Sequence, residues 1–232
     1  MKYPTGIRSQ QFINRNVGLV RSQQRRSSGF TLMEMLVVLT VIGVLFAFSA
    51  PQLFSLLGSN SLSSAGSLMK TKLTQAQQMA LSKNIDVEVR FFKFSDSLQA
   101  QIEDEIRGFQ FFIYDETGEA VPNTQFFRVQ APVVISSDSR LSTLVQAGGK
   151  GRSPLAGQCE IPRGSGNGRE TADYVSFRFR PDGSTDLPIS SGGNNTWHVT
   201  LIEESSDASG IPDNFFTIQI DPYNGKITEY RP

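Results

Sequence analysis

An apolar stretch of 21 residues, from Phe30 to Ala50, constrains the fold of this chain more than any other part of its sequence. Glu34 is its one charged residue, and no proline interrupts it before Pro51. A helix of this length would measure ~31 Å, about the thickness of the hydrocarbon core of a bilayer. The stretch therefore predicts a membrane-spanning α-helix over residues 30–50.

The charges in front of this stretch have one sign. The six charged residues before Gly29 are Lys2, Arg8, Arg15, Arg21, Arg25 and Arg26. Because cytoplasmic flanks of membrane helices are rich in Lys and Arg, we expect the N-terminus in the cytoplasm and the C-terminal body across the membrane. Without this leader the chain has 16 basic and 22 acidic residues, a net charge of about −6. That balance argues against broad attraction to nucleic acid.

The carboxylate of Glu34 lies five residues into the apolar stretch. An ionisable side chain deep in a bilayer costs roughly 2.5–3.5 kcal/mol on insertion scales, and such a group usually has a partner. Glu34 therefore either lies near the headgroups, where it reaches water, or pairs with a cation inside an assembly.

The residues from Gly29 to Glu34 (GFTLME), between a basic leader and an apolar helix, resemble the processing site of type IV pilin-like proteins. This family includes pilins, the pseudopilins of type II secretion and competence pilins. The resemblance implies that a prepilin peptidase cleaves after Gly29 and N-methylates Phe30. It also implies that Glu34 neutralises the N-terminal amine of a neighbouring subunit during assembly, and that Pro51 is the family's helix-kinking proline.

An ordinary secretory signal is the competing interpretation, with cleavage among the small residues of 47–50. The charge of Glu34 within the apolar stretch and the position of Pro51 directly after it both argue against this alternative. The N-terminal residue of the mature chain separates the two interpretations, since pilin-like processing would leave Phe30 there.

The pattern of the chain predicts three parts. They are a basic leader over 1–29, a long helix over 30–84 (transmembrane over 30–50 and amphipathic over 51–84), and a β-rich periplasmic body over 85–232. In the amphipathic part, apolar residues recur at helical spacing; they are Leu62, Ala65, Met69, Leu73, Ala76 and Ala80. Gly58 and Gly66 lower helix propensity there and would allow the helix to bend.

From residue 85 onward the apolar period changes from helical to alternating, which indicates β-strands. We expect strands over 85–91, 108–114, 126–129, 133–136, 174–180, 196–202, 214–220 and 226–230, with turns at 115–118, 181–184 and 224–225. The segment 97–107 predicts a short acidic helix or an excursion from the strand pattern, and 146–171 predicts a long mobile loop. The expected fold class is α+β, with a long N-terminal helix packed on a mostly antiparallel sheet.

Two features of the body extend the resemblance. Residues Phe179 to Gly183 (FRPDG) are similar to the F-x-P-x-G turn of minor pseudopilins grouped with the H-type subunit of type II secretion and its fimbrial relatives. The closing segment, from Ile218 to Ile227, resembles the final hairpin of that group. The insertions at 97–107 and 146–171 depart from its pattern.

Four basic residues of the segment 146–171 are candidates for ligand contact, and they are Lys150, Arg152, Arg163 and Arg169. Such residues could touch nucleic acid, but no aromatic residue is interleaved with them, which favours a solvated loop. An acidic set, Glu203, Glu204, Asp207 and Asp213, lies where some major pseudopilins bind calcium. Its spacing matches no known calcium loop, so a solvated surface is favoured.

No catalytic constellation is visible, because His198 and Cys159 are single and no motif links them. We expect no enzymatic activity, no cofactor and no bound metal. The expected function is that of a structural minor pilin or pseudopilin, with prepilin peptidase, other pilin subunits and the inner membrane as partners. The alternatives are a DNA-binding minor pilin of an uptake system and a membrane-anchored periplasmic protein that does not polymerise.

Overall fold

The computed structural model describes residues 29–94, 105–148, 151–163, 168–189, 196–204 and 211–232, without the side chains of 49–58. The chain divides into two compact units, Met1–Ala47 and Phe48–Pro232. The described residues of the second unit form the C-terminal part of one helix and a single sheet.

The helix α1 extends over Leu32–Lys83 and contains 52 residues. It continues through Pro51, as expected. It ends where Asn84 adopts a left-handed conformation with φ of 56°, a conformation that commonly terminates helices. Among the residues that the structure describes, no helix is both long enough and apolar enough to cross a bilayer.

Ten strands follow the helix within the described residues. Their bounds are β1 Val87–Phe94, β2 Glu105–Tyr114, β3 Ala120–Pro122, β4 Phe127–Arg128, β5 Val133–Ile135, β6 Leu155–Pro162, β7 Arg169–Phe179, β8 Trp197–Glu203, β9 Phe215–Ile220 and β10 Ile227–Tyr230.

All described strand pairs are antiparallel and belong to one sheet, whose order is β10-β9-β8-β5-β2-β1-β7-β6. The short strands β3 and β4 also pair with β2, along the same edge of β2 as β5. The α+β class with a helix on an antiparallel sheet is therefore confirmed.

The apolar stripe of α1 packs against one face of this sheet, which we call the inner face. Leu62, Met69, Leu73, Ala76 and Ala80 are each at most 2% exposed, and Ala65 packs against the same core. The sheet contributes alternate residues to that core, and they include Val87, Val89, Phe91, Phe109, Phe111, Phe177, Phe179, Leu201, Phe216 and Ile218. The predicted amphipathic stripe is confirmed.

Gly66 has a packing role that its helix propensity did not indicate. A Cβ atom at this position would lie 2.3 Å from the ring of Phe216, so only glycine lets the helix and β9 approach this closely. The helix α1 is continuous through Gly66.

Two expectations for the body were wrong. Residues 105–107 of the expected acidic helix begin β2 instead, and 97–104 lie outside the described residues. In the expected loop 146–171, β6 and the start of β7 form an antiparallel hairpin. In β6, half-buried and exposed positions alternate only weakly. The small residues, glycine and proline of this strand hide that alternation in the sequence. Residues 149–150 and 164–167 lie outside the described part.

The other face of the sheet, the outer face, holds a buried ion pair. Arg90 donates through Nε and Nη2 to the two carboxylate oxygens of Glu88 at 2.9 and 3.0 Å, and Tyr114 Oη donates to Glu88 Oε2 at 2.6 Å. The guanidinium of Arg90 stacks between the rings of Phe112 and Tyr174, at 4.0 and 4.4 Å from their centroids. Burial alone would raise the pKa of Glu88, but the hydrogen bonds from Arg90 and Tyr114 hold that pKa below its ordinary value.

Hydrogen bonds to two glycine-containing turns attach the C-terminal end of α1 to the sheet. Gln77 Nε2 donates to Gly183 O at 3.2 Å and to Asn224 O at 2.8 Å. Gly183 and Gly225 have φ of 83° and 63°, in the left-handed region that favours glycine. The turns predicted at 181–184 and 224–225 are therefore confirmed, and one helix side chain joins them.

We predict that Gly225→Ala destabilises the body much more than Gly118→Ala. Both glycines have positive φ, so both substitutions carry about 1–2 kcal/mol of backbone strain. A Cβ at Gly225 would also lie 2.3 Å from Gly183 O and 2.6 Å from Gln77 Nε2, whereas a Cβ at Gly118 meets nothing within 4 Å. Denaturant unfolding of both variants measures the difference, and equal losses of unfolding free energy would contradict the packing described here.

We also predict that Glu88→Gln reduces the acid sensitivity of the fold. Because the pKa of folded Glu88 is depressed, its stabilising contribution is complete above its ordinary pKa and is lost as the pH falls through the folded value. Unfolding free energies measured at neutral pH and near pH 3 should therefore differ less in Glu88→Gln than in the parent chain. The control is Glu229→Gln, which removes an exposed ion pair with Lys70 and should keep the parent's pH dependence.

Candidate processing and assembly site

The peptide bond between Gly29 and Phe30 lies just outside α1. Both residues are exposed and non-helical, and the helix begins at Leu32. A Cβ atom at Gly29 would meet nothing within 4 Å, so the described structure leaves the space around this bond open. A peptidase needs an accessible, non-helical backbone, and this bond has both properties.

Thr31 caps the helix. Its Oγ1 accepts a hydrogen bond from Glu34 N at 3.1 Å, and its carbonyl accepts the first helical bond from Met35 N. This is one half of the Thr-x-x-Glu capping arrangement, a signal by which the sequence alone could have located the start of α1. The cap fixes where the helix starts, and therefore leaves Gly29 and Phe30 outside it.

Glu34 lies in the first turn of α1, where a carboxylate also interacts favourably with the helix dipole. Its side chain is exposed, and among the described residues no basic group lies within ion-pairing distance of it. Pro51 lies within α1, although its side chain is outside the described set. The structure thus leaves the carboxylate of Glu34 available to a cation from elsewhere.

The apolar side chains after Phe30 are exposed to a degree unusual for a folded protein. Fourteen large apolar residues between positions 30 and 48 are 42–85% exposed, and they are Phe30, Leu32, Met33, Met35, Leu36, Val37, Val38, Leu39, Val41, Ile42, Val44, Leu45, Phe46 and Phe48. Such a continuous apolar surface requires a cover, either lipid or other helices.

Those basic candidates that the structure describes do not form a free cationic patch. Arg169 Nε lies 3.1 Å from Glu160 Oε2, and Arg163 Nε lies 3.5 Å from Glu170 Oε2. Arg152 is exposed, and Lys150 lies outside the described residues. Pairing across the β6–β7 hairpin therefore neutralises two of the three arginines that the sequence had suggested for contact with nucleic acid.

Two of the acidic candidates have structural partners as well. Glu204 accepts a hydrogen bond from the buried Arg107 at 2.6 Å, and Asn214 Nδ2 lies 3.5 Å from Glu203 Oε1. Asp207 is outside the described residues. Within the described ranges no group of three or more acidic, His or Cys side chains could hold a metal ion.

Cys159 and His198 are far apart in the sheet, because four strands separate β6 from β8. The thiol of Cys159 is half-buried and 3.7 Å from Glu160 O. His198 Nδ1 lies 3.3 Å from Thr143 Oγ1. The arrangement brings together no nucleophile and base from this pair.

Comparison with known proteins agrees with the resemblance seen at Gly29–Glu34. The family model described as the prokaryotic N-terminal methylation motif matches residues 24–50. No protein with a curated description matches the sequence. The match confirms that this segment resembles the N-terminal region of type IV pilin-like proteins.

Two solved structures can be superimposed on part of the chain. The minor pseudopilin EpsH from the type 2 secretion system of Vibrio cholerae is 7% identical, with 74% of this chain and 98% of EpsH covered and a TM-score of 0.41. The type IV minor pilin FimU of Pseudomonas aeruginosa is 13% identical, with 75% and 93% covered and a TM-score of 0.41.

Proposed function

We propose that this chain is a structural, non-enzymatic minor subunit of a type IV pilus-like filament or of a type II secretion pseudopilus. A prepilin peptidase cleaves it after Gly29 and methylates the new N-terminus at Phe30. The observation that carries the proposal is the methylation motif over 24–50, combined with a Gly29–Phe30 bond that lies exposed beside the start of a long apolar helix.

The role of Glu34 follows from charge. Cleavage after Gly29 creates an ammonium at Phe30, and N-methylation keeps it basic. When apolar helices pack together, an unpaired carboxylate in the first turn is costly, and the amine of a neighbouring subunit offsets that cost. The first turn of α1 places the carboxylate of Glu34 close to the helix start, where such an amine would also be found.

The exposed apolar side chains of residues 30–48 support two successive environments for this part of α1. Before assembly, the segment 30–50 anchors the chain in the inner membrane, with the basic leader in the cytoplasm and the body in the periplasm. After assembly, the helices of neighbouring subunits replace the lipid. In both states the apolar surface is covered, which the isolated chain does not achieve.

The body over 85–232 supplies the surface that distinguishes this subunit from others. Its Phe179–Gly183 turn and closing hairpin resemble those of the H-type minor subunits, and we propose membership of that group. Nucleic acid is a less favoured partner, since Arg163 and Arg169 are paired with acidic residues.

Gly29→Leu is expected to leave the chain uncut. The space around Gly29 is open, so the substitution would not disturb the described fold, and any failure reports recognition by the peptidase. Mass spectrometry of the chain co-expressed with a prepilin peptidase should find a parent product that begins at methylated Phe30, and a variant that retains its leader.

The matched control is Gly43→Leu, because Gly43 also has no atom within 4 Å of a Cβ and lies inside α1. This variant should be processed normally. Normal cleavage of Gly29→Leu, or a parent product that begins at Ala50 or Pro51, would refute the proposed processing.

Glu34→Gln should leave processing intact and prevent incorporation into the filament. The cap at Thr31 uses the backbone N–H of Glu34, so the helix start survives while the charge is removed. Loss of one partner of a buried ion pair should lower the amount of crosslinked subunit in sheared filaments by roughly a hundredfold. Glu34→Asp, which keeps the charge, should recover most of it, and equal incorporation of Glu34→Gln and the parent would contradict the role assigned to Glu34.

A further inference from the structure

The sheet ends at β6, an eight-residue strand whose only strand partner within the described residues is β7. Edge strands are normally protected by charge, proline, short length or a covering segment, because their free backbone groups recruit other strands. The three residues Ala156–Gln158 carry no charge or proline, and Ala156 and Gln158 are exposed. This part of the edge therefore lacks the usual protection.

The register shows which backbone groups face outward. Arg163 N donates to Gly168 O across the hairpin, which fixes the hydrogen-bonded positions of the β6–β7 ladder. Because these positions alternate in an antiparallel pair, the N–H and C=O groups of Ala156, Gln158 and Glu160 point away from β7.

One end of this edge is closed. Arg169 Nη2 donates to Glu160 O at 3.2 Å, and Arg128 Nη2 donates to Pro162 O. Pro162 has no N–H to offer. The other end stays open, since among the described residues no group hydrogen-bonds to the backbone of Ala156 or Gln158 on the side away from β7.

A groove of about 580 Å³ lies beside the open part of the edge, on the inner face of the sheet. Ala156 and Gln158 form one wall, and Phe91, Ile106 and Val175 are among the apolar residues that line it. In a strand added to β6, the residues that pair directly with Ala156 and Gln158 would point their side chains into this groove, because directly paired residues share a face.

We propose that β6 is a strand-addition site, which takes an extended segment of another protein through the backbone groups of Ala156 and Gln158. The groove accepts one large apolar side chain of that segment. An extended peptide is the occupant that fits, because only a strand presents donors and acceptors at the spacing of these two residues together with a side chain directed to one face. The site is independent of the processing and assembly proposed for Gly29, Phe30 and Glu34.

The test uses the full-length chain in detergent and a synthetic seven-residue peptide. The peptide alternates threonine with valine, carries phenylalanine at its centre and has a lysine at each end. Fluorescence anisotropy should show saturable binding, and amide hydrogen exchange should slow at Ala156 and Gln158. The same peptide with methylated backbone nitrogens should not bind, and replacement of its phenylalanine by alanine should weaken binding roughly tenfold.

Gln158→Pro removes one outward N–H without breaking a bond to β7, a position at which edge strands tolerate proline. Binding should weaken roughly tenfold or more. Gln158→Ala is the matched comparison, because it loses the same side chain and its bond to Asp173 (2.8 Å) but keeps the backbone N–H, so it should bind roughly tenfold more tightly than Gln158→Pro. Circular dichroism of both variants confirms that the fold is retained.

Three results would overturn the proposal. The first is the absence of binding by the parent at millimolar peptide. The second is equal binding by Gln158→Pro and Gln158→Ala. The third is a concentration-dependent dimer of the parent that Gln158→Pro abolishes, because it would make a second copy, and not a separate partner, the occupant of the edge.

Discussion

Burial of one apolar stripe of α1 against the inner face of a single sheet is the interaction on which the body depends. The stripe from Leu62 to Ala80 is almost fully excluded from solvent, and aromatic residues of four strands surround it. At roughly 25 cal/mol per Å² of apolar surface, such burial is the main favourable contribution to folding. Gly66 lets α1 approach β9 closely, since no larger residue fits beneath Phe216.

The sequence predicts those parts of the fold in which apolar and polar residues alternate strongly along the chain. Val87, Val89 and Phe91 are buried, and the helix ends where the alternation begins. Glycine turns at Gly183 and Gly225 were also predictable, because positive φ favours a residue without a Cβ. The β6–β7 hairpin was missed because Ile161 is the one side chain of β6 that is fully buried. The remaining positions of the strand are half-buried or exposed. Pairing of β6 depends on a neighbouring strand that no local pattern reveals.

In the candidate site too, some residues could be identified from the sequence and others could not. A short motif, readable without tertiary structure, assigns candidate roles to Gly29, Phe30 and Glu34, and the cap at Thr31 explains why the helix starts after the first two of these residues. The sequence could not show whether the charged candidates are free to bind a ligand, because that depends on their neighbours on the adjacent strand. Arg169 lies beside Glu160 only through the hairpin register, and that pairing changes an apparent cationic loop into a neutralised strand pair.

The attachment of α1 to the sheet at both ends of its buried part has a mechanical consequence. Asn214 Nδ2 donates to Ser59 Oγ at 3.0 Å near one end, and Gln77 bonds to Gly183 and Asn224 near the other. Between them, Lys70 pairs with Glu229 at 3.2 Å. A pulling force along the helix axis would therefore strain these attachments and the apolar contacts between them in parallel. Such shear loading resists rupture better than peeling, in which bonds fail one after another.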